Sequence, residues 1–367
     1  MKLSLTILAT FITTITAMAQ NKLFTLDDLI PGGSTYAALQ PENRHFTFDG
    51  DQVIEQPQAP AKETNQSAEI KDFTLFVGGR QITTDGSADI LRRYADADER
   101  FMLISLTQNE GQAAARNHAL PLLEGDWTLM LDADDWYAPD TIEQAVACFE
   151  HPQVDVVLFE VSMDYPDSTE IYPMPDFETL TGDEAFRMSL TWQIHGLYMV
   201  RAAIHQRYPY DETCRLFSDD NTTRLHYISA RLVTHCKGVY HYRQHDASAT
   251  HVVSVRRFDY LRANESMVRS LHELKVSRDI LSLYENHRWL NLVGIYMFYH
   301  VHGRELTKAE RRYGLGELKR VWGTIDRTLL DHQAHRKLGY RHMPTWTLFR
   351  LQEWIYFTLR GFLGKNK

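Results

Sequence analysis

Residues 127–136 read WTLMLDADDW, an apolar run that ends in three carboxylates within four positions, Asp132, Asp134 and Asp135. A run this short and this apolar predicts a buried strand, and acids at its carboxyl end stand where open α/β sheets bind ligands. Upstream, ADILRRYADADER carries Ile90, Leu91 and Tyr94 at helical spacing, FMLISLTQ is a short apolar strand, and GQAAARNHALPLLEG is a helix opened after Gly111 and closed at Gly125. Downstream, a helix is predicted from Thr141 to Phe149, VDVVLFEVSM is a second buried strand, and ARLVTHCKGVYHYRQH is a third apolar element near residue 240. This alternation predicts an α/β domain with a mostly parallel sheet. Beyond Val252 apolar residues recur at threes and fours to the end of the chain, which predicts a helical C-terminal region.

Carboxylates at a strand end are hard oxygen ligands that suit Mg²⁺ or Mn²⁺, and one or two of them plus substrate phosphates make a typical site. The plainer alternative is that Asp135 caps the helix near Pro139 while the other two acids are solvated. The 367 residues carry 48 Asp and Glu against 39 Lys and Arg, a formal charge of −9 that argues against a nucleic-acid partner. With 44% hydrophobic and 24% charged residues, neither wholesale disorder nor a fibrous repeat is expected. Cys148, Cys214 and Cys236 lack CxxC spacing, which excludes a zinc knuckle and a disulfide-dense scaffold.

The chain opens MKLSLTILATFITTITAMAQ: Lys2, an uncharged stretch from Leu3 to Thr16, then Ala17 and Ala19 as small residues before a cut at Gln20. Residues 1–19 therefore read as a signal peptide, and the competing reading, a buried helix, is disfavoured by the β-branched residues. No later stretch approaches the ~20 apolar residues of a membrane span. In residues 20–87, EQPQAPAKETNQSAEIKD is a polar linker, and FTLFVGGRQITTDGS predicts a β-hairpin turning at Gly78-Gly79.

GQAAARN followed by EGDWTLMLDADDWYAPDTIEQAV resembles the family 2 glycosyltransferases of the GT-A fold, and the resemblance continues at LFSDDNTTRLHY and VYHYRQHDASAT, covering roughly residues 83 to 255. It implies a GT-A-like (Rossmann-like), mostly parallel α/β sheet with a helical C-terminal region. The implied reaction moves a sugar from a nucleotide-sugar donor to a glycan or lipid-linked acceptor in bacterial polysaccharide biosynthesis, with inversion and with Mg²⁺ or Mn²⁺. Carried over residue by residue, Asp132 lies near the donor's nucleoside and shares the metal held by Asp134, with Asp135 behind them or capping a helix. Arg116 and Asn117 fall beside the donor pocket, and Arg243 and His245 follow a strand and close over the diphosphate, His245 as a further metal ligand. Asp219 is favoured as the base, with Asp220 as the neighbour whose charge raises a pKa, although either acid would also serve as a helix N-cap. An exposed loop histidine is the competing reading of His245.

The opening ~87 residues, with LFTLDDLIPGG, PENR, GDQ and GGRQITTDGS, resemble the start of the secreted dipeptidyl peptidase IV-like peptidases of family S9, without any G-x-S-x-G elbow. The first strand of a family 2 glycosyltransferase and its nucleobase-binding acids are not recognisable. The domain is therefore read as N-terminally incomplete, with FTLFV as the candidate to fill the vacancy. The expected organisation is 1–19 signal peptide, 20–87 leader-like segment and linker, 88–255 glycosyltransferase-like domain and 256–367 helical region. Export to the periplasm or envelope conflicts with a nucleotide-sugar enzyme, which is expected at the cytoplasmic membrane face; a non-catalytic envelope binding protein on the same core is the alternative. From Met343 to Leu363, Trp346, Phe349, Trp354, Phe357 and Phe362 stand among Arg341, Arg350, Arg360 and Lys365. That composition gives either weak peripheral membrane contact or aromatics packed on the domain.

Overall fold

The structure, a computed structural model, describes residues 5–10, 45–49, 52–56, 73–80, 87–98, 100–106, 110–213, 217–244, 253–332 and 336–365. In chain order the elements are β1 (Leu5–Thr10), β2 (His45–Asp49), β3 (Gln52–Gln56), β4 (Phe73–Arg80), α1 (Ser87–Ala97), β5 (Phe101–Leu106), α2 (Gln112–Ala119), β6 (Trp127–Asp132), β7 (Trp136–Tyr137) and α3 (Thr141–Cys148). Then come β8 (Val154–Asp164), β9 (Thr169–Ile171), β10 (Leu180–Thr181), α4 (Gly182–Ser189), β11 (Tyr198–Arg201), α5 (Ala202–Arg207), α6 (Ser218–Ser229) and β12 (Leu232–Arg243). The helices α7 (Asp259–Glu273), α8 (Arg278–His302), α9 (Lys308–Trp322) and α10 (Trp346–Phe362) complete the chain. Two compact units result: residues 1–173, 197–206 and 234–246 form the first, and residues 174–196, 207–233 and 247–367 the second.

The first unit is built on an open sheet with strand order β12-β8-β11-β6-β1-β4-β5. The strands β6, β1, β4 and β5 run parallel, and β11 enters antiparallel to both β6 and β8. Val156, Val157, Leu158 and Phe159 of β8 are fully buried, the continuous apolar run expected of a strand covered on both faces. Parallel register brings Thr10, Asp132 and Gly78 into one row near the carboxyl edge, so the acids of the DADD stretch leave the sheet where a ligand-binding crevice forms.

Two expectations are corrected here. The sheet has no vacancy at its centre: Leu5–Thr10, part of the stretch read as an export leader, pairs with β6 on one side and β4 on the other, and FTLFV lies one strand further out. Gly78 and Gly79 are not a hairpin turn but part of β4, opposite Ile104 and Ser105 of β5. The local turn signal yields to pairing with a distant strand. The hairpin of this region lies earlier, where Asp49 of β2 stands opposite Gln52 of β3. Most residues that carry the peptidase-like resemblance lie outside the described residues.

The second unit is helical, as the periodicity predicts. Helices α4 and α9 start with capping boxes, Thr181 with Glu184 and Thr307 with Glu310, which satisfy backbone N–H groups that otherwise lack helical partners. Phe258, Trp289, Leu292, Tyr296, Leu318, Phe349 and Phe357 form one core. A second gathers Phe186, Met267, Leu271, Ile280 and Tyr284. Gly314 lies flat on the Phe258 ring, where any Cβ would come within 2.2 Å of it. Among the described residues no helix is long and apolar enough to cross a membrane.

Candidate active site

At the end of β6 the chain turns sharply, the Asp135 N–H donating to the Asp132 carbonyl at 3.1 Å. The turn sorts its three acids. Asp135 is 5% exposed, and its carboxylate accepts a hydrogen bond from the Tyr240 hydroxyl at 2.6 Å and from the Arg243 backbone N–H at 2.9 Å. Burial pushes its carboxyl up to about 7 against those two hydrogen bonds, with Asp134 and Asp132 adding to the rise. Asp134 is exposed at the tip of the turn. Asp132 is partly open, its Oδ1 accepting from the Arg116 guanidinium at 2.9 Å.

Arg116 reaches that position because Gly111, at φ 94, starts α2 in a backbone conformation that suits glycine, and the helix then buries Ala113, Ala114, Arg116 and Ala119. A buried guanidinium bonded to a half-open carboxylate fixes one wall of the acidic turn. The opposite wall is β12. Tyr240 and His241 pair with Tyr137 and Trp136 of β7, and Val239 accepts hydrogen bonds from the Ala138 N–H and the Thr141 hydroxyl. Gly238 is required there, since a Cβ would come within 2.7 Å of the Thr141 backbone. Trp136 stacks on His241 at 4.8 Å and carries the Arg243 guanidinium 5.3 Å from its ring centre. His241 in turn bonds Asp164 at 2.8 Å.

In the second unit Asp219 and Asp220 sit in the first turn of α6. Neither is the N-cap: that position is Phe217, at φ 67 with no side-chain cap. The two acids favour the positive end of the helix dipole instead. Asp219 is exposed, whereas the Asp220 side chain is 12% exposed and lies 3.5 Å from the buried Arg224 guanidinium. Burial pushes Asp220 up to about 6, Arg224 pulls it back, and Asp219 adds to the rise. Arg224 is itself surrounded by Tyr260 and Tyr284.

The structure thus brings Asp132, Asp134, Asp135, Arg116 and Arg243 to one edge of the first unit. The capping role considered for Asp135 is not the observed one, because the N-cap of α3 is Asp140 and Asp135 is committed to β12. Asn117 is half-buried on α2, its carbonyl accepting from the Leu120 N–H. His245 lies outside the described residues. Sequence reasoning did not single out Tyr240, His241 or Arg224; the alternation of VYHYR was the signal available for the first two, with Tyr240 inward.

Among the described residues no group of three or more His, Cys, Asp or Glu side chains is arranged to hold a metal ion. The available donors are the carboxylates of Asp132 and Asp134. An open pair of hard oxygen ligands fits Mg²⁺ or Mn²⁺ completed by phosphate oxygens and water, and does not fit a closed structural site.

Residues 82–211 match the family described as Glycosyl transferase family 2. Among curated proteins the chain is similar to the teichuronic acid biosynthesis glycosyltransferase TuaG of Bacillus subtilis, 32% identical over 112 residues, which are 29% of this chain and 43% of that protein. It is also similar to an uncharacterized glycosyltransferase of Haemophilus influenzae, 38% identical over 80 residues, 22% of this chain and 31% of that one. The matched part spans less than half the length of these relatives. Among solved structures, S. aureus TarS 1–349 in complex with UDP-GlcNAc superimposes with a TM-score of 0.67 at 13% identity, covering 99% of this chain and 93% of that one. At that identity the likeness is one of fold. The fold is of the GT-A class, and the similarity of residues 82–211 to family 2 glycosyltransferases lies within it.

Proposed function

We propose that the chain moves a sugar from a nucleotide-sugar donor to a glycan or lipid-linked acceptor by a single, inverting displacement. The observation that carries this reading is the sorted acidic turn at the sheet's carboxyl edge. There Asp135 is tied down behind it, Asp132 and Asp134 are open to solvent, and cationic groups stand on either side. Asp132 and Asp134 would hold the divalent cation, which when bound offsets the diphosphate's charge. Arg116 keeps Asp132 in place. Arg243, exposed over Trp136, supplies a guanidinium to the departing nucleoside diphosphate.

For the base we favour Asp220 over Asp219. Its raised pKa of about 6 suits proton abstraction from a sugar hydroxyl near neutral pH, and Arg224 holds its carboxylate in one orientation. Asp219, on the open side of the same turn, contributes a like charge that keeps that pKa high. The reading also places the chain at the cytoplasmic membrane face, where nucleotide sugars are found. The pairing of Leu5–Thr10 on both its sides supports retention of the N-terminal stretch over its removal during export. Measuring nucleoside diphosphate release from a panel of UDP- and GDP-sugars with Mn²⁺, with and without glycan acceptors, tests the proposal. Release with at least one donor is expected, and none with any donor counts against it.

A further inference from the structure

Helix α10 turns one side into the core and another to solvent. Phe349, Gln352, Glu353 and Phe357 are buried, with Phe349 packed on Trp289 and Tyr296 of α8. On the other side Leu348, Leu351, Ile355, Leu359 and Phe362 follow one another at spacings of three and four and are between 39% and 84% exposed. Trp354 and Leu363, at 56% and 67%, flank them. At 3.6 residues per turn the five residues of the strip occupy an arc of roughly 80°, which Trp354 and Leu363 widen to about 180°. A continuous apolar strip of this kind marks an interaction surface. It is not the set that composition suggested, since Phe349 and Phe357 belong to the core and the strip is mainly aliphatic.

Charge decides what the strip faces. Residues 336–365 contain Arg336, Lys337, Arg341, Arg350, Arg360 and Lys365 in a chain whose net charge is −9. The one acid among them, Glu353, is buried, and burial pushes its carboxyl up to about 8, so it is neutral at pH 7. Two copies meeting through this helix would set like charges together, with Arg350 beside Trp354 at the edge of the strip. An anionic surface neutralises them. The helix is too short and too mixed to span a bilayer, which leaves the orientation parallel to it.

We infer that α10 is an interfacial anchor that lays the Leu348, Leu351, Ile355, Leu359 and Phe362 strip into an anionic lipid surface, with Arg350 and Lys365 at headgroup level. The inference stands on the helix alone and does not rest on the transferase reading. Such an anchor keeps the chain on a bilayer without crossing it and is weakened by salt.

Flotation of the full-length chain with vesicles of phosphatidylcholine containing roughly 30% phosphatidylglycerol, against phosphatidylcholine alone, tests it. The wild type is expected to float with the anionic vesicles at low salt and to be released at high salt. Leu351→Ser, Ile355→Ser and Phe362→Ser together are expected to lower the partition about tenfold or more with an unchanged circular dichroism melt. Arg350→Gln with Lys365→Gln, which leaves the strip intact, should weaken anionic binding alone. A wild type that stays at the bottom, or serine variants that float like it, would overturn the inference. So would a sedimentation mass showing that the strip closes a dimer with no vesicle binding.

Discussion

Tyr240 donates its phenolic hydrogen to Asp135 at 2.6 Å, closing the acidic turn against the end of β12. Two donors therefore converge on one buried carboxylate, the second being the Arg243 N–H at 2.9 Å. Tyr240→Phe removes the hydroxyl's bond to Asp135 and the longer one it accepts from the Asp132 N–H at 3.4 Å, and is expected to cost about 1–3 kcal/mol, because buried polar groups lose a partner. Asp135→Ala should cost more, because it removes the acceptor of both buried donors. Urea denaturation of both variants checks the order, and an Asp135→Ala protein as stable as wild type would mean that the two bonds do not hold the turn.

Asp134 is the open acid of the turn, and its carboxylate is expected to be required for metal-dependent nucleotide binding. Without a cation a diphosphate meets an acidic edge that repels it. Calorimetry of UDP with Mn²⁺ should show the wild-type affinity reduced at least about tenfold in Asp134→Ala, a loss typical of removing a metal-site group. Equal affinities would remove Asp134 from the metal site.

Strand β1 has partners on both sides, Phe73 to Gly78 and Trp127 to Asp132. Deleting residues 1–19 would leave two facing strands without their shared neighbour and expose apolar edges. The deleted chain is expected to be insoluble or to lose its cooperative melt, and intact mass of the purified protein should include Leu5. A chain cut before Gln20 that melts like the uncut one would remove β1 from the sheet.

Glu353 links stability to pH. Its carboxyl is protonated in the fold up to about 8 but loses its proton at ordinary carboxylate pH when unfolded. The folded state therefore binds the extra proton across that window. Its stabilising contribution is full below the unfolded pKa and is lost as pH rises through about 8. Glu353→Gln abolishes that dependence. Urea midpoints at pH 5.5 and 8 should fall further in wild type than in the variant, and parallel falls would show that Glu353 is not neutral in the fold.

The acidic turn and the α2 helix were legible because their signals are local: an apolar run that ends in acids, and alanines following a glycine. The second half of the site was not. The donors to Asp135 stand 105 and 108 residues downstream, a distance over which no periodicity points from one to the other. Leu5–Thr10 was not legible as a strand for a physical reason, since an uncharged, β-branched stretch near an N-terminus suits both an export leader and a central parallel strand. Gly78-Gly79 did mislead, a turn signal within a strand whose partners come from elsewhere in the chain. Strand β11, only four residues long, offered too little pattern to be seen, although it separates β6 from β8.

Asp220→Asn bears most directly on the proposed catalysis. Donor affinity and nucleoside diphosphate release are to be measured on the same preparation, across pH, against wild type and Asp219→Asn. The wild type should gain activity as pH rises through about 6, where Asp220 gives up its proton. Asp220→Asn should bind donor within a few fold while release falls by roughly 10² to 10⁴, the span of a general base. Asp219→Asn should retain much of the turnover with its rise displaced to lower pH. Metal-dependent donor binding with no release from the wild type, or undiminished release from Asp220→Asn, would contradict the account.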